Sequence, residues 1–322
     1  MEYRRLGKSG LKVSAIGLGC GSATFAGNAD ERTSVDIINH ALESGINYID
    51  TAETYADGRS ETLVGKALKG KRSQVIVGTK FGKDRSVGPG EQRGSRSRLM
   101  KAVEGSLKRL DTEYIDLYVM HQPDPDTPIE ETLRALDDLV RVGKVRYLGC
   151  SDFAGWQLCE ALWTSKTQRL ESFISAGAHY NLINRGIEQE LIPCCWNFGV
   201  GVIPTMPLAQ GFLTGKYRRG NEMPESARFT SAPRFAGAKH QALRRYDKFL
   251  TDANFDKLAR LEAFAEKRGH SVAGLAIAWL LSRPWLSTVP VGVTSSEQLT
   301  RNVAAAAWKL SADDIVELDK IL

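Results

Sequence analysis

The chain has 322 residues, 42% hydrophobic and 25% charged, with 43 Lys and Arg against 38 Asp and Glu for a net charge of +5. These are the fractions of an ordinary soluble globular protein, long enough to bury a large core without disulfides or metal. The basic excess is dispersed in short runs such as Lys69-Gly70-Lys71-Arg72, read as solvated helix ends, and lacks the broad basic face that nucleic-acid binding needs.

In chain order, residues 3–6 and 11–13 flank Gly7-Lys8-Ser9-Gly10, a hairpin signal. Eight apolar strand-like runs follow, at 15–19, 48–50, 75–80, 115–121, 145–151, 173–176, 200–204 and 287–291. Several are continuously apolar, as buried parallel strands are. Helical patterns lie between them at 30–44, 60–68, 97–110, 129–142, 156–164 and 187–198, and Gly45, Gly70, Gly143 and Gly199 mark helix ends. Strand–helix alternation points to βα units on a parallel sheet. Eight units favour a closed barrel, while spacing alone leaves a doubly wound sheet open. The fold expected is a (β/α)8 TIM barrel filling residues 1–322 as one domain. Its bottom is closed by the N-terminal hairpin, and its C-terminal side carries extra loops and helices. The stretch 217–247, rich in Arg, Gly, Pro and Ser, reads as a long loop at a pocket rim.

Five cysteines without framework spacing read as free thiols of a reducing compartment. Cys194-Cys195 has no metal-ligand spacing and reads as helix packing, so no metal is expected; Cys20 and Cys150 fall near strand ends, within reach of a ligand. Residues 1–7 lack a signal-peptide core, and the longest apolar run, 273–281, is too short for a bilayer. A cytoplasmic location without a membrane partner is expected.

Catalytic groups in such barrels come from the C-terminal ends of strands. Three successive candidate strands end at Asp50, Lys80 and His121, and Tyr55 follows Asp50 in a loop. A lone Lys or His at a strand end is usually solvated or structural; four such residues together point to chemistry. They fit proton delivery to a carbonyl oxygen. A phenol with a pKa of about 10 is a weak acid near neutrality, and a nearby ammonium lowers that pKa. Lys80 can supply the charge, Asp50 can hold Lys80, and His121 can donate to the carbonyl oxygen.

The segments Gly45-Ile46-Asn47-Tyr48-Ile49-Asp50-Thr51-Ala52-Glu53-Thr54-Tyr55, Val77-Gly78-Thr79-Lys80-Phe81-Gly82 and Ile115-Asp116-Leu117-Tyr118-Val119-Met120-His121 resemble, in order, the signatures of aldo-keto reductases. The likeness runs nearly the whole chain and is greatest to the group containing potassium-channel β-subunits and bacterial general-stress reductases. It implies a (β/α)8 barrel, NADPH as cofactor, and reduction of a small aldehyde, ketone or keto-sugar. The rival reading is a nucleotide-sensing regulatory subunit.

Gly17-Leu18-Gly19-Cys20-Gly21-Ser22 misses the sixth glycine of a dinucleotide fingerprint and reads as a strand with a turn. The better nucleotide segment runs from Gly292 to Asn302, after the eighth strand, where a helix N-terminus favours phosphate. Thr294 and Glu297 have capping-box spacing. The resemblance implies that this segment binds adenosine, with Gln298 and Asn302 facing adenine and Arg301 able to reach the extra ribose phosphate. It implies a pyrophosphate loop around Pro207, Leu208, Gln210 and Gly211, with Lys216 as its cation. Three positions depart from the family pattern. Ser151-Asp152 stands for Ser-Asn, Gly177 for Gln, and Thr205 for an aromatic residue, which implies a loosely held nicotinamide. Phe25 and Phe81 are expected to line the substrate pocket and Gln122 to add a polar contact; Trp156 belongs either there or in helix packing.

Overall fold

The computed structural model describes residues 1–22, 25–28, 30–83, 91–221 and 249–322. The expected rim stretch therefore lies largely outside the described residues. A hairpin comes first: β1 (Tyr3–Arg5) pairs antiparallel with β2 (Lys12–Ser14). Eight parallel strands follow: β3 (Ile16–Gly19), β4 (Tyr48–Asp50), β5 (Ile76–Phe81), β6 (Ile115–Met120), β7 (Val145–Ser151), β8 (Phe173–His179), β9 (Gly201–Thr205) and β10 (Val289–Val291). Each pairs with its chain neighbour, β10 pairs with β3, and a parallel bridge between Val202 and Leu286 closes the ring. This is the (β/α)8 barrel expected.

The helices are α1 (Phe25–Asn28), α2 (Glu31–Glu43), α3 (Arg59–Ala67), α4 (Arg96–Leu110), α5 (Ile129–Arg141), α6 (Gly155–Gln168) and α7 (Leu191–Phe198). After the undescribed stretch come α8 (Asp252–Glu266), α9 (Val272–Leu281), α10 (Ser296–Ala305) and α11 (Ala312–Ile321). Side-chain caps start several: Asp30 accepts from the Thr33 amide, Ser95 from Arg98 and Ser271 from Gly274. The helix expected over 187–198 is shorter. A 3-10 turn at Gly186–Glu188 precedes α7, which puts Pro193 in the first turn, where its missing N–H costs nothing. Among the described residues no helix is long and apolar enough to cross a membrane.

The hairpin closes the bottom of the barrel. Leu6 and Val13 are fully buried against Tyr48, Leu117, Val119 and Ile203, which point inward from β4, β6 and β9. Strand starts are tied by charge as well. Asp116 at the start of β6 accepts from Arg72, Arg146 and the Val77 amide. Arg72, expected on a solvated helix end, is thus a half-buried anchor that also donates to the carbonyls of Val75 and Tyr114.

Candidate active site

The C-terminal mouth collects one group per strand. Asp50 ends β4 and Lys80 sits one residue from the end of β5, whose register sets Asp50 opposite Gly78. Side chains alternate along a strand, so Gly78 and Lys80 share the inward face. Lys80 Nζ donates to both carboxylate oxygens of Asp50 at 2.7 Å and to the Thr51 carbonyl at 2.9 Å. Burial disfavours the Lys80 charge, yet Asp50 and Tyr55 outweigh it and hold the pKa above the ordinary lysine value. Tyr48 beneath is held well above the usual phenol range by burial and by Asp50, so it stays neutral and donates to Asp50 at 3.3 Å. Burial, with Asp50 beside it, likewise raises the Cys20 thiol and leaves it unreactive.

Tyr55 comes from the loop after β4. Ala56, Asp57 and Gly58 turn that loop with three successive left-handed residues, at φ of 48°, 53° and 85°. A side chain at Gly58 would also strike Arg109, whose Cδ lies 2.7 Å from the Cβ position. The loop is pinned where Glu53 accepts from the Gly82 amide at 3.0 Å and from Arg98 at 2.7 Å. The Tyr55 ring then faces both partners. Lys80 Nζ is 5.1 Å from its centroid, and the ring meets His121 edge-on at 5.8 Å and 81°. His121 follows β6 directly, and its amide donates to the Phe81 carbonyl at 2.8 Å. Behind Lys80, Thr79 points outward to the fully buried Glu61 at 2.6 Å, which Arg109 neutralises at 2.7 Å. All four expected catalytic residues are therefore together.

Two of the expected substrate residues are not open to a pocket. Phe25 and Phe81 are both fully buried in the main core. Since Lys80 points into the barrel, Phe81 points out, where it stacks on Tyr118 at 4.7 Å. Gln122 lies at the mouth with a buried side-chain oxygen that has no hydrogen-bond partner among the described residues. Trp156 is 62% exposed on α6 and belongs to neither expected setting.

The two segments expected to bind nucleotide follow β9 and β10 at the same C-terminal mouth. Lys216 packs over Gly211: a Cβ there would meet the movable end of that side chain, Cε at 2.9 Å and Nζ at 3.1 Å, and the φ of 95° at Gly211 is one that favours glycine. Pro207 and Gln210 are buried, and the Gln210 amide nitrogen contacts the Met206 sulfur at 3.2 Å. Arg218, a further basic residue here, is held by Glu262 of α8 at 2.6 Å. At the other segment Gly292 and Thr294 are exposed. The cap differs from the Thr294–Glu297 box: Ser295 caps α10 by accepting from the Gln298 amide. The Gln298 side-chain oxygen reaches back to the Thr294 amide at 3.0 Å. Arg301 is exposed and Asn302 half-buried, and the Arg301 charge helps to lower the Glu297 carboxyl, after the larger effect of the Ser295 hydrogen bond.

A family model described as the aldo/keto reductase family matches residues 15–322. The chain belongs to this family. A rice protein described as a probable voltage-gated potassium channel subunit beta is 36% identical over 95% of this chain and 91% of its own length. The versiconal hemiacetal acetate reductase of Aspergillus parasiticus is 36% identical, covering 99% and 96%. A soybean protein described as probable aldo-keto reductase 1 is 35% identical, covering 98% and 87%. The chain is an oxidoreductase of the aldo/keto reductase type, a family that works with a nicotinamide cofactor. The Gly211–Lys216 cradle and the capped start of α10 on one rim fit the phosphates of such a dinucleotide.

Sequence reasoning missed His179. It closes β8, which runs three residues beyond the expected strand end, and so belongs to the mouth and not to a loop. The signal was present: His179 is two residues from Gly177, on the same strand face. Its Nε2 lies 4.0 Å from Asp152 Oδ1.

Proposed function

We propose that this aldo/keto reductase reduces an aldehyde or ketone, keto-sugars included, to an alcohol, with NADPH as hydride donor and Tyr55 as general acid. The observation that carries the reading is the buried Lys80 ammonium between Asp50 and Tyr55. When bound, the reduced nicotinamide supplies a hydride to the carbonyl carbon. The chain supplies the rest. Tyr55 delivers the proton to the carbonyl oxygen, and the Lys80 charge stabilises the phenolate left behind. Asp50 fixes Lys80, and His121 donates to the same oxygen and orients it. Lys216 and Arg301, with Gly211, Gly292 and Thr294, hold the nucleotide phosphates, Gln298 and Asn302 the adenosine, and the whole chain acts as one barrel domain.

The test is Tyr55→Phe. Carbonyl reduction is expected to fall by about 10²–10⁴-fold, with the NADPH dissociation constant nearly unchanged, because the ring remains and only the proton is lost. Wild-type rates in the variant at saturating cofactor overturn the role. The resemblance to the rice channel subunit favours one second reading, a nucleotide-sensing regulatory subunit. Tight NADPH binding without turnover on any aldehyde, ketone or keto-sugar of a broad panel selects it.

A further inference from the structure

The four groups of the mouth reach it on separate pieces of chain, so their chemistry depends on how the loop after β4 lies against the end of β5. That loop prolongs the sheet. The Thr51 amide donates to the Gly78 carbonyl at 2.8 Å and the Glu53 amide to the Lys80 carbonyl at 3.1 Å. Beyond Phe81 the ladder stops, and Gly82 turns away with a left-handed φ of 78°. The Gly82 amide donates to Oε1 of Glu53 at 3.0 Å. Glu53 therefore grips the end of β5 twice, by its amide at Lys80 and by its carboxylate at Gly82. Between those two points the Phe81 carbonyl accepts from the His121 amide at 2.8 Å. One residue thus joins the loop that carries Tyr55, the strand end that carries Lys80 and the backbone entry to His121.

The Glu53 side chain is only 7% exposed, and a buried carboxylate is unfavourable unless paired. Arg98 of α4, 9% exposed, gives Oε2 its countercharge at 2.7 Å. An apolar pair would fill such a space with no charge to desolvate, so packing alone does not account for a carboxylate here. The two oxygens have separate tasks: Oε2 meets the cation, and Oε1 holds the strand end. Glu53 lies two residues before Tyr55. Its grip fixes two distances from the Tyr55 ring centroid, 5.1 Å to Lys80 Nζ and 5.8 Å to the centroid of the His121 ring. A shift of about 1 Å in such a constellation can cost on the order of 10²-fold in rate.

We propose that Glu53 is a positioning residue for proton transfer, setting Tyr55 against Lys80 and His121 through the Gly82 amide. The inference rests on the reading of Tyr55 as general acid. Glu53 acts through these neighbours and not on the reacting atoms.

The experiment compares two double variants in which the Glu53–Arg98 ion pair is removed whole, so that neither buries the charge of one partner alone. Glu53→Ala with Arg98→Met loses the oxygen that faces Gly82, whereas Glu53→Gln with Arg98→Met keeps an acceptor there. Turnover of para-nitrobenzaldehyde is followed by NADPH absorbance, and NADPH affinity by fluorescence. The alanine variant is expected to lose roughly tenfold to hundredfold in kcat, with KM and the NADPH dissociation constant near the wild-type values. The glutamine variant is expected to regain most of that loss. In a Tyr55→Phe background the same alanine change is expected to cost little more, since the proton donor it misplaces is gone. Wild-type kcat in the alanine variant overturns the positioning role. Equal losses in the alanine and glutamine variants overturn it too, as does a fall in NADPH affinity matching the fall in kcat, which marks a general loosening of the fold. If Tyr55→Phe alone turns over at the wild-type rate, the general-acid reading fails and this inference with it. A slow Tyr55→Phe beside a fast alanine variant overturns the inference alone.

Discussion

The ammonium of Lys80 touches both oxygens of the Asp50 carboxylate at 2.7 Å while only 5% of its side chain is exposed. The positive charge beside Tyr55 is therefore a charge held in place against burial, and it depends on Asp50.

Asp50→Asn is expected to abolish most carbonyl reduction and to destabilise the fold by about 3–5 kcal/mol, because a buried cation loses its countercharge. The sign of the pH dependence follows from the raised Lys80 pKa. The contribution of the pair is fully present below the ordinary lysine value of about 10.4 and is lost as pH rises through the higher folded value. Wild-type stability relative to a variant lacking both charges, Asp50→Leu with Lys80→Met, read by urea unfolding, should stay constant from neutrality to about pH 10 and fall only above it. Asp50→Leu with Lys80→Met is expected to regain much of the lost stability without regaining activity. A double variant no more stable than Asp50→Asn would sink the account.

Cofactor choice should follow Arg301 and not Arg218. Arg218 is committed to Glu262, so Arg218→Ala is expected to leave the NADPH-to-NADH affinity ratio unchanged. Arg301→Ala should lower the ratio by roughly tenfold or more, as loss of a charged hydrogen bond of about 1.5 kcal/mol implies, whereas Lys216→Ala should weaken both cofactors alike. Equal dissociation constants for the two cofactors in the wild type would remove the preference altogether.

At Gly177 a larger side chain is expected to harm and not to help. Its Cβ would lie 3.0 Å from Ser151 Oγ and 3.2 Å from Ser151 Cβ. Gly177→Gln should cost about 1–3 kcal/mol by overpacking and weaken NADPH binding. Gly177→Gln with Ser151→Gly should recover the stability. Tighter NADPH binding by Gly177→Gln alone would overturn the overpacking at this position.

The hairpin is clasped to the C-terminal part of the chain through Glu2, whose carboxyl is lowered to about 2 by its hydrogen bonds to Arg4 and Lys309. A lowered carboxyl contributes stability above its ordinary value of about 4.3 and loses it as pH falls toward 2. The Glu2 side chain is about half exposed, so Glu2→Gln should cost no more than about 1 kcal/mol near neutrality. The difference from wild type should vanish by about pH 2. A gap that is the same at pH 7 and pH 2 argues against the clasp.

The sequence by itself pointed to the barrel and to the four polar residues that gather at its mouth. Eight apolar runs alternating with helical patterns leave few ways to bury both faces of a parallel sheet, and polar residues ending consecutive strands fall at one mouth by topology alone. Strand alternation also bears on Phe81: once Lys80 points inward, its neighbour points out. Only the tertiary structure decided the rest. The end of β8 is set by pairing with β9 out to His179–Thr205, a long-range register that local pattern does not encode, and it carries the strand three residues past its expected end, which brings His179 to the mouth. Whether a basic residue is available to a ligand was likewise invisible in one dimension. Arg72 and Arg218 find Asp116 and Glu262, each 44 residues away in sequence, because folding brings together charges that no spacing rule connects.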